Sequence, residues 1–317
     1  MVLAIDQGAS KTAVVLLSGD GKIHAAKTTG GACYFSSGVE VAFGLICNAA
    51  KAAAQEAGVV LTDIRKIYGG IAGANWPDEV KMLTRETKAR FGVSDVTVVN
   101  DCVVALRAGT CKPNAIVLCA GSEFNCAVMA GGEVRHVYNN YISVNDAGGL
   151  ALGSRSIQAV FDSHLGIRGR TALTKLIMEH FGCATHDELL LWRDRGRLMH
   201  PLNTIVPLLM AAAYDNDAVA LDIIREFSCA IARYAVGGLR TYNLIGQDCD
   251  IVLSGGVFKS GHPLLYDTIA REVHGVSSQA NIVPAEFEPV VGAALFALED
   301  SAVVTCMESA RKCGLTR

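Results

Sequence analysis

The chain has 317 residues, of which 51% are hydrophobic and 19% charged, and its formal net charge is −3. That length suits roughly two domains with a sizeable core, and that apolar share excludes a disordered chain. With no Lys/Arg-rich block, neither a nucleic-acid surface nor an anionic-membrane surface is indicated. No apolar run approaches the ~20 residues of a membrane span. The N-terminus opens on a strand and Asp6 rather than a basic signal region, so a cytoplasmic location is expected.

In chain order, the first elements are strands over 3–9, 12–17 and 23–28. Between the first two lies Asp6-Gln7-Gly8-Ala9-Ser10-Lys11-Thr12. Small residues at Gly8 and Ala9 allow close backbone approach to a ligand, and Ser10, Lys11 and Thr12 supply hydroxyls, an ammonium and N–H donors. Asp6 offers a carboxylate for a metal, directly or through water. The pattern suggests a nucleotide phosphate site, the alternative being an ordinary hairpin turn with a surface lysine. It is not a P-loop, because the stretch after Lys11 is β-like and ends at the turn Gly19-Asp20-Gly21-Lys22.

Apolar spacing predicts a helix over 39–57, a buried strand over 64–71 and a helix over 79–91. A strand over 96–99 then delivers Asn100-Asp101 at its C-terminal end, the edge where open α/β sheets place ligands. A short helix over 103–108 follows. Next, a strand over 116–120, a turn at Gly121-Ser122-Glu123-Phe124, a strand over 125–129, a Gly131-Gly132 turn and a strand over 134–138 repeat the opening order. Helices are expected over 150–165, 172–180, 187–194, 202–214 and 218–244. A strand over 251–253 feeds Ser254-Gly255-Gly256-Val257-Phe258-Lys259-Ser260. Residues 263–273 read as a helix, 282–283 as a strand and 290–298 as a small-residue helix. The stretch 301–317 reads as a helical tail.

The 11 cysteines, an odd number without paired spacing, read as buried free thiols. His180, Cys183 and His186 lack a fourth metal ligand in reach, and a helix end at Gly182 explains them as well.

The loop after Asp6 resembles the first phosphate motif (Asp-Gly-Gly-Gly-Thr-Lys-Thr) of the actin-like ATPase and sugar-kinase superfamily. The similarity is greatest to the BadF/BadG/BcrA/BcrD ATPase and N-acetylglucosamine kinase group. Val98-Val99-Asn100-Asp101, Ala120-Gly121-Ser122, Asn145-Asp146-Ala147-Gly148, Leu253-Ser254-Gly255-Gly256 and Pro289-Val290-Val291-Gly292 fall in the matching order, over about residues 1–300.

The resemblance implies an α/β fold of two ribonuclease H-like lobes around a nucleotide cleft, with helical insertions in the second lobe. The expected division is 1–112, 113–300 and a tail at 301–317. The implied reaction is ATP-dependent phosphorylation of a sugar or amino-sugar hydroxyl, with Mg²⁺. Asp101 would be the general base, and Asp6 would hold Mg²⁺ through water. Ser10, Lys11, Thr12, Gly121, Ser122, Gly255, Gly256 and Lys259 would bind the nucleotide. Asn100, Asp101 and Asp146 would bind the acceptor. For Asp101 a helix cap is the competing reading, for Gly121-Ser122 a plain hairpin turn, and for Asp146 an Asx-turn.

Two departures from the family pattern stand out. Glu123 and Phe124 replace the Gly-Ser that ends the second phosphate loop, placing a carboxylate near phosphates. Cys33 stands where an Asn bonds the sugar, and Tyr138-Asn139-Asn140-Tyr141 replaces a Gly-rich loop, so N-acetylglucosamine is expected to be a poor acceptor. A partner-coupled ATPase, as in activators of acyl-CoA dehydratases, and a weakly active nucleotide-binding regulator are the alternatives. The partner expected is a small-molecule sugar, with no nucleic acid or membrane, and a homodimer is left open.

Overall fold

The computed structural model describes residues 1–198, 202–259 and 261–317. It divides into two compact units. One comprises Met1–Val117, Ala127–Asn139 and Val283–Arg317, the other Leu118–Cys126 and Asn140–Ile282.

The first sheet contains β1 (Val2–Gln7), β2 (Lys11–Leu17), β3 (Ile23–Gly30), β4 (Lys66–Ile71) and β5 (Asp95–Val99), in the order β3-β2-β1-β4-β5. β1 to β3 form an antiparallel meander, and β4 joins β1 in parallel with β5 beyond it. β1 is buried along its whole length. Its alternate residues enter two different cores: Leu3 and Ile5 join Phe43, Ile46 and Ile67, whereas Val2 and Ala4 join Val104, Val290 and Val291. A strand covered on both faces reads as a continuous apolar run.

The second sheet contains β6 (Ala115–Ala120), β7 (Phe124–Ala130), β8 (Glu133–Val137), β9 (Cys249–Ser254) and β10 (Ala280–Pro284), in the order β10-β9-β6-β7-β8. Matching β6 to β1, β7 to β2 and so on reproduces the first sheet's order. The repeated meander is thus a repeated ribonuclease H-like sheet. The helices Gly148–His164, Leu173–Phe181, His186–Asp194, Val206–Tyr214 and Ala218–Thr241 are inserted between β8 and β9.

Three details depart from the sequence expectations. A single helix over 202–214 becomes a 3₁₀ turn, Leu202–Ile205, followed by Val206–Tyr214, with Pro207 in the first turn where a missing N–H costs nothing. The stretch 301–317 is largely the helix Asp300–Lys312, and it is built into the first unit. Ile23 N donates to Ser309 Oγ at 3.0 Å, and Phe287 bridges Thr316. Residues 127–139 and 283–317 group with the N-terminal sheet. Finally, Cys111 and Cys313 are exposed rather than buried, while all 11 cysteines are free thiols.

Candidate active site

In the first unit, β1 delivers Asp6 into a turn closed by Gly8 N donating to Lys11 O at 2.8 Å. The backbone at Gly31 lies directly on this turn, since a Cβ there would fall 2.2 Å from Lys11 N. Gly31 supports the loop because it has no side chain, a role the sequence reading did not assign. Ser10 is exposed and Lys11 partly so, but Thr12 is fully buried. Thr12 Oγ1 has no hydrogen-bond partner among the described residues.

Lys11 Nζ lies 2.6 Å from Glu288 Oε2. Glu288 is the N-cap of the helix Pro289–Ala297, 277 residues away in sequence. The only signal for it was an acidic residue preceding a Pro-led, small-residue helix. Asp6 is 7% exposed. Burial, and then the Asp101 charge, push its carboxyl up to about 7, with Glu288 adding to the rise and Lys11 and Arg317 opposing it.

The helix Asp101–Arg107 starts at Asp101, and its cap is Asn100, not Asp101. Asn100 Oδ1 accepts from Cys102 N at 2.9 Å, while its Nδ2 donates to Asn75 Oδ1 at 3.0 Å and to Asn139 Oδ1 at 3.4 Å. Asn100 thus caps the helix and ties it to Asn75 and Asn139. Asp101 Oδ1 accepts from its neighbour Cys102 N at 3.1 Å, and Oδ2 lies 4.0 Å from where a Gly8 Cβ would stand. The helix is held close by Gly292, whose absent Cβ would lie 1.9 Å from Val104 O. Asp6, Lys11, Asp101 and Glu288 are therefore brought to one place.

In the second unit, the turn between β6 and β7 is held through its carbonyls. Gly149 N donates to Gly121 O at 2.9 Å, and Leu150 N donates to Ser122 O at 3.0 Å. Asn203 Nδ2 donates to Ser122 Oγ at 3.2 Å. Glu123 is exposed, and Phe124 turns inward against Tyr234, with ring centroids 5.4 Å apart. Gly255 and Gly256 differ in kind. Gly255 has φ +101° and presses on Ala120, where a Cβ would sit 2.1 Å from the carbonyl oxygen, whereas a Cβ on Gly256 would meet nothing within 4 Å. Gly255 shapes the turn, and Gly256 leaves open space. Lys259 is exposed at the end of the short helix Gly256–Lys259. Ser260 lies outside the described residues.

Asp146 is buried, and both its oxygens are engaged, by Arg155 at 3.5 Å and by Arg233 and the Tyr234 hydroxyl at 3.2 Å each. Cys33 is also buried, its Sγ 3.5 Å from Ala72 O. In the 138–141 loop, Asn139 adopts φ +41° and Tyr141 is 74% exposed. Helix Leu173–Phe181 ends at Gly182 with φ 65°, and His180 pairs with Thr204. Among the described residues no group of three or more His, Cys, Asp or Glu side chains is arranged to hold a metal ion, and no helix is long and apolar enough to cross a membrane.

Several known proteins are similar to this chain. A glucosamine kinase from Vibrio cholerae is 23% identical over 200 residues, 63% of this chain and 67% of its own length. An N-acetylmuramic acid/N-acetylglucosamine kinase from Clostridium acetobutylicum is 20% identical over 299 residues, 93% of this chain and 97% of its own. A crystal structure from Porphyromonas gingivalis, provisionally named an N-acetylglucosamine kinase, superposes with a TM-score of 0.71 at 17% identity, covering 94% of this chain and 98% of that one. The model of the BadF/BadG/BcrA/BcrD ATPase family matches residues 3–297, and the chain belongs to that family.

Proposed function

We propose that this protein is an ATP-dependent kinase that phosphorylates a hydroxyl of a sugar or amino sugar. The observation that carries the reading is Asp101. Asn100 does the capping, so the Asp101 carboxylate is not needed to start its helix. It instead stands beside the Gly8 turn and close enough to Asp6 to raise that group's pKa. A carboxylate so placed is suited to take the proton of an acceptor hydroxyl as its oxygen bonds to the γ-phosphorus and the bond to the ADP oxygen breaks. Lys11 supplies positive charge for the phosphates. The buried, partnerless Thr12 hydroxyl fits a loop that is completed by a phosphate oxygen or an ordered water. The open space at Gly256 suits a planar base or ribose. The named activities of the two curated relatives favour the same reading.

A divalent cation would suit Asp6, whose buried carboxyl is pushed up by burial and by the Asp101 and Glu288 charges, with Lys11 and Arg317 opposing. Asp6 would hold Mg²⁺ through water, and the ion would neutralise charge on the transferring phosphoryl group.

For the acceptor, the buried Cys33 thiol is a weak hydrogen-bond partner, and the bulky 138–141 loop lacks the family's glycines. Both favour an acceptor smaller than N-acetylglucosamine, such as an unacetylated amino sugar. A coupled ADP-release assay over glucosamine, N-acetylglucosamine, glucose and smaller polyols tests both levels. Stimulation by one sugar is expected. Sugar-independent hydrolysis, or tight ATP binding without turnover, would overturn the kinase reading. A kcat/KM for N-acetylglucosamine of about 10⁴ M⁻¹s⁻¹ or above would overturn the acceptor preference alone.

A further inference from the structure

Asp146 stands in the Val144–Asp146 turn, 3% exposed, and three groups converge on it from two helices. Arg155, on Gly148–His164, reaches Oδ1 at 3.5 Å and also donates to Asn145 O at 2.8 Å. Arg233 and Tyr234, on Ala218–Thr241, both donate to Oδ2 at 3.2 Å. Tyr234 Oη in addition accepts from Ser143 N at 3.2 Å. Both carboxylate oxygens are therefore engaged inside the protein, and at 3% exposure the side chain offers an acceptor hydroxyl little access.

The fixed turn leads straight to the second Gly loop. Two residues after Asp146, Gly148 adopts φ +50° and lies so close to the loop that a Cβ would fall 2.4 Å from Glu123 O. The next two N–H groups hold Gly121 O and Ser122 O. On the loop's other side, Phe124 packs on the ring of Tyr234, the same residue whose hydroxyl holds Asp146. The chain of contacts runs from the Asp146 carboxylate, through the turn and through Tyr234, to both ends of the Gly121–Phe124 loop.

We infer that Asp146, with Arg233 and Tyr234, is a positioning group for the second phosphate loop, acting on the nucleotide's terminal phosphates rather than contacting the acceptor. The inference rests on the kinase reading for the statement that this loop meets phosphate. It differs from that reading's initial assignment of Asp146 to the acceptor. Losing the carboxylate's charge releases the turn, and the loop carbonyls lose the geometry in which Gly149 and Leu150 hold them. The N–H groups of the same loop then no longer point where a phosphate needs them.

The test is calorimetric titration of full-length Asp146→Asn and Tyr234→Phe with ATP and, separately, with AMP, without acceptor, followed by steady-state kinetics. Asp146→Asn should weaken ATP binding roughly tenfold or more, and Tyr234→Phe, which keeps the ring on Phe124, roughly threefold. AMP affinity should be unchanged for both, because it lacks the terminal phosphates. Acceptor KM at saturating ATP should shift less than about twofold. Unchanged ATP affinity with a raised acceptor KM would overturn the inference and return Asp146 to the acceptor. Equal losses for ATP and AMP would overturn it in favour of a general structural role. Should Asp146→Asn not fold, the Tyr234→Phe pair of titrations decides by the same criteria. Wild-type protein that binds no ATP would instead overturn the kinase reading, and this inference with it.

Discussion

The two Gly turns, after β1 and after β6, occupy the same place in two sheets of identical strand order, yet they are held in opposite ways. The Gly8–Lys11 turn is braced from behind by the side-chain-free backbone of Gly31 and carries charge: Asp6, Lys11 and, from distant segments, Asp101 and Glu288. The Gly121–Glu123 turn carries one exposed carboxylate and is braced through its own carbonyls by the N-terminus of Gly148–His164. The repeat supplies two equivalent turns; the first gathers charged side chains, and the second is fixed through its own backbone.

The largest expected effect follows from that division. Asp101→Asn keeps the side chain's shape but removes the proton acceptor, so acceptor-dependent turnover should fall roughly 10²–10⁴-fold with ATP binding nearly unchanged. Near wild-type turnover would leave the first turn without a base. Lys11→Met removes a cation that faces both Glu288 and Asp6. Nucleotide affinity, read by titration, should drop roughly 10- to 100-fold, the range of one charge-assisted hydrogen bond. Unchanged nucleotide affinity in Lys11→Met would remove the charge role from the first turn.

The adjacent glycines at 255 and 256 sharpen the comparison within the second unit. Gly255→Ala puts a Cβ into the Ala120 carbonyl at a positive φ, and should cost stability on the order of 1–3 kcal/mol or more in a denaturant melt. Gly256→Val should fold, judged by an unchanged circular dichroism spectrum, and bind ATP more weakly. If both variants merely destabilise, the space at Gly256 is not a ligand site.

The Asp6 carboxyl gives a pH signature. Raised from 3.8 to about 7, it keeps its proton in the folded state over a range where the unfolded chain has released it. In protein stripped of divalent cations, stability from this group is fully present below about pH 4 and is lost as the pH rises through about 7. Thermal melts at stepped pH should show that slope, and Asp6→Asn should flatten it. The smallest effect is expected at Glu123. It is exposed, so Glu123→Ser should change stability by no more than ~0.5 kcal/mol and nucleotide affinity by less than about tenfold. A larger gain in affinity would mean that its charge opposes the phosphates directly.

Much of the site was legible because its residues sit in short local patterns. The strand-turn-strand around Asp6 and Lys11, the Asn-Asp pair after β5 and the paired glycines after β9 each announce themselves within a few residues. Glu288 and Gly31 did not, because each acts on a loop distant in sequence: Glu288 through one ion pair, Gly31 through the side chain it lacks. Asp146 was visible, but its arginine and tyrosine partners were not. A motif shows a carboxylate's place in a turn and says nothing of which helix returns to neutralise it.

The sequence by itself determined the two strand meanders, their repeated order along the chain and the turns that end β1, β5, β6 and β9. Alternating and continuous apolar runs specify strands, and Gly and Asp specify turns, through interactions a few residues long. Only the tertiary structure decided that Asn100 rather than Asp101 caps its helix, that Thr12 is buried and Ser10 exposed, and that residues 283–317 return to the first unit. Those outcomes depend on which surfaces are covered by segments far along the chain. Burial and charge neutralisation are properties of the packed neighbourhood, and no local spacing encodes them.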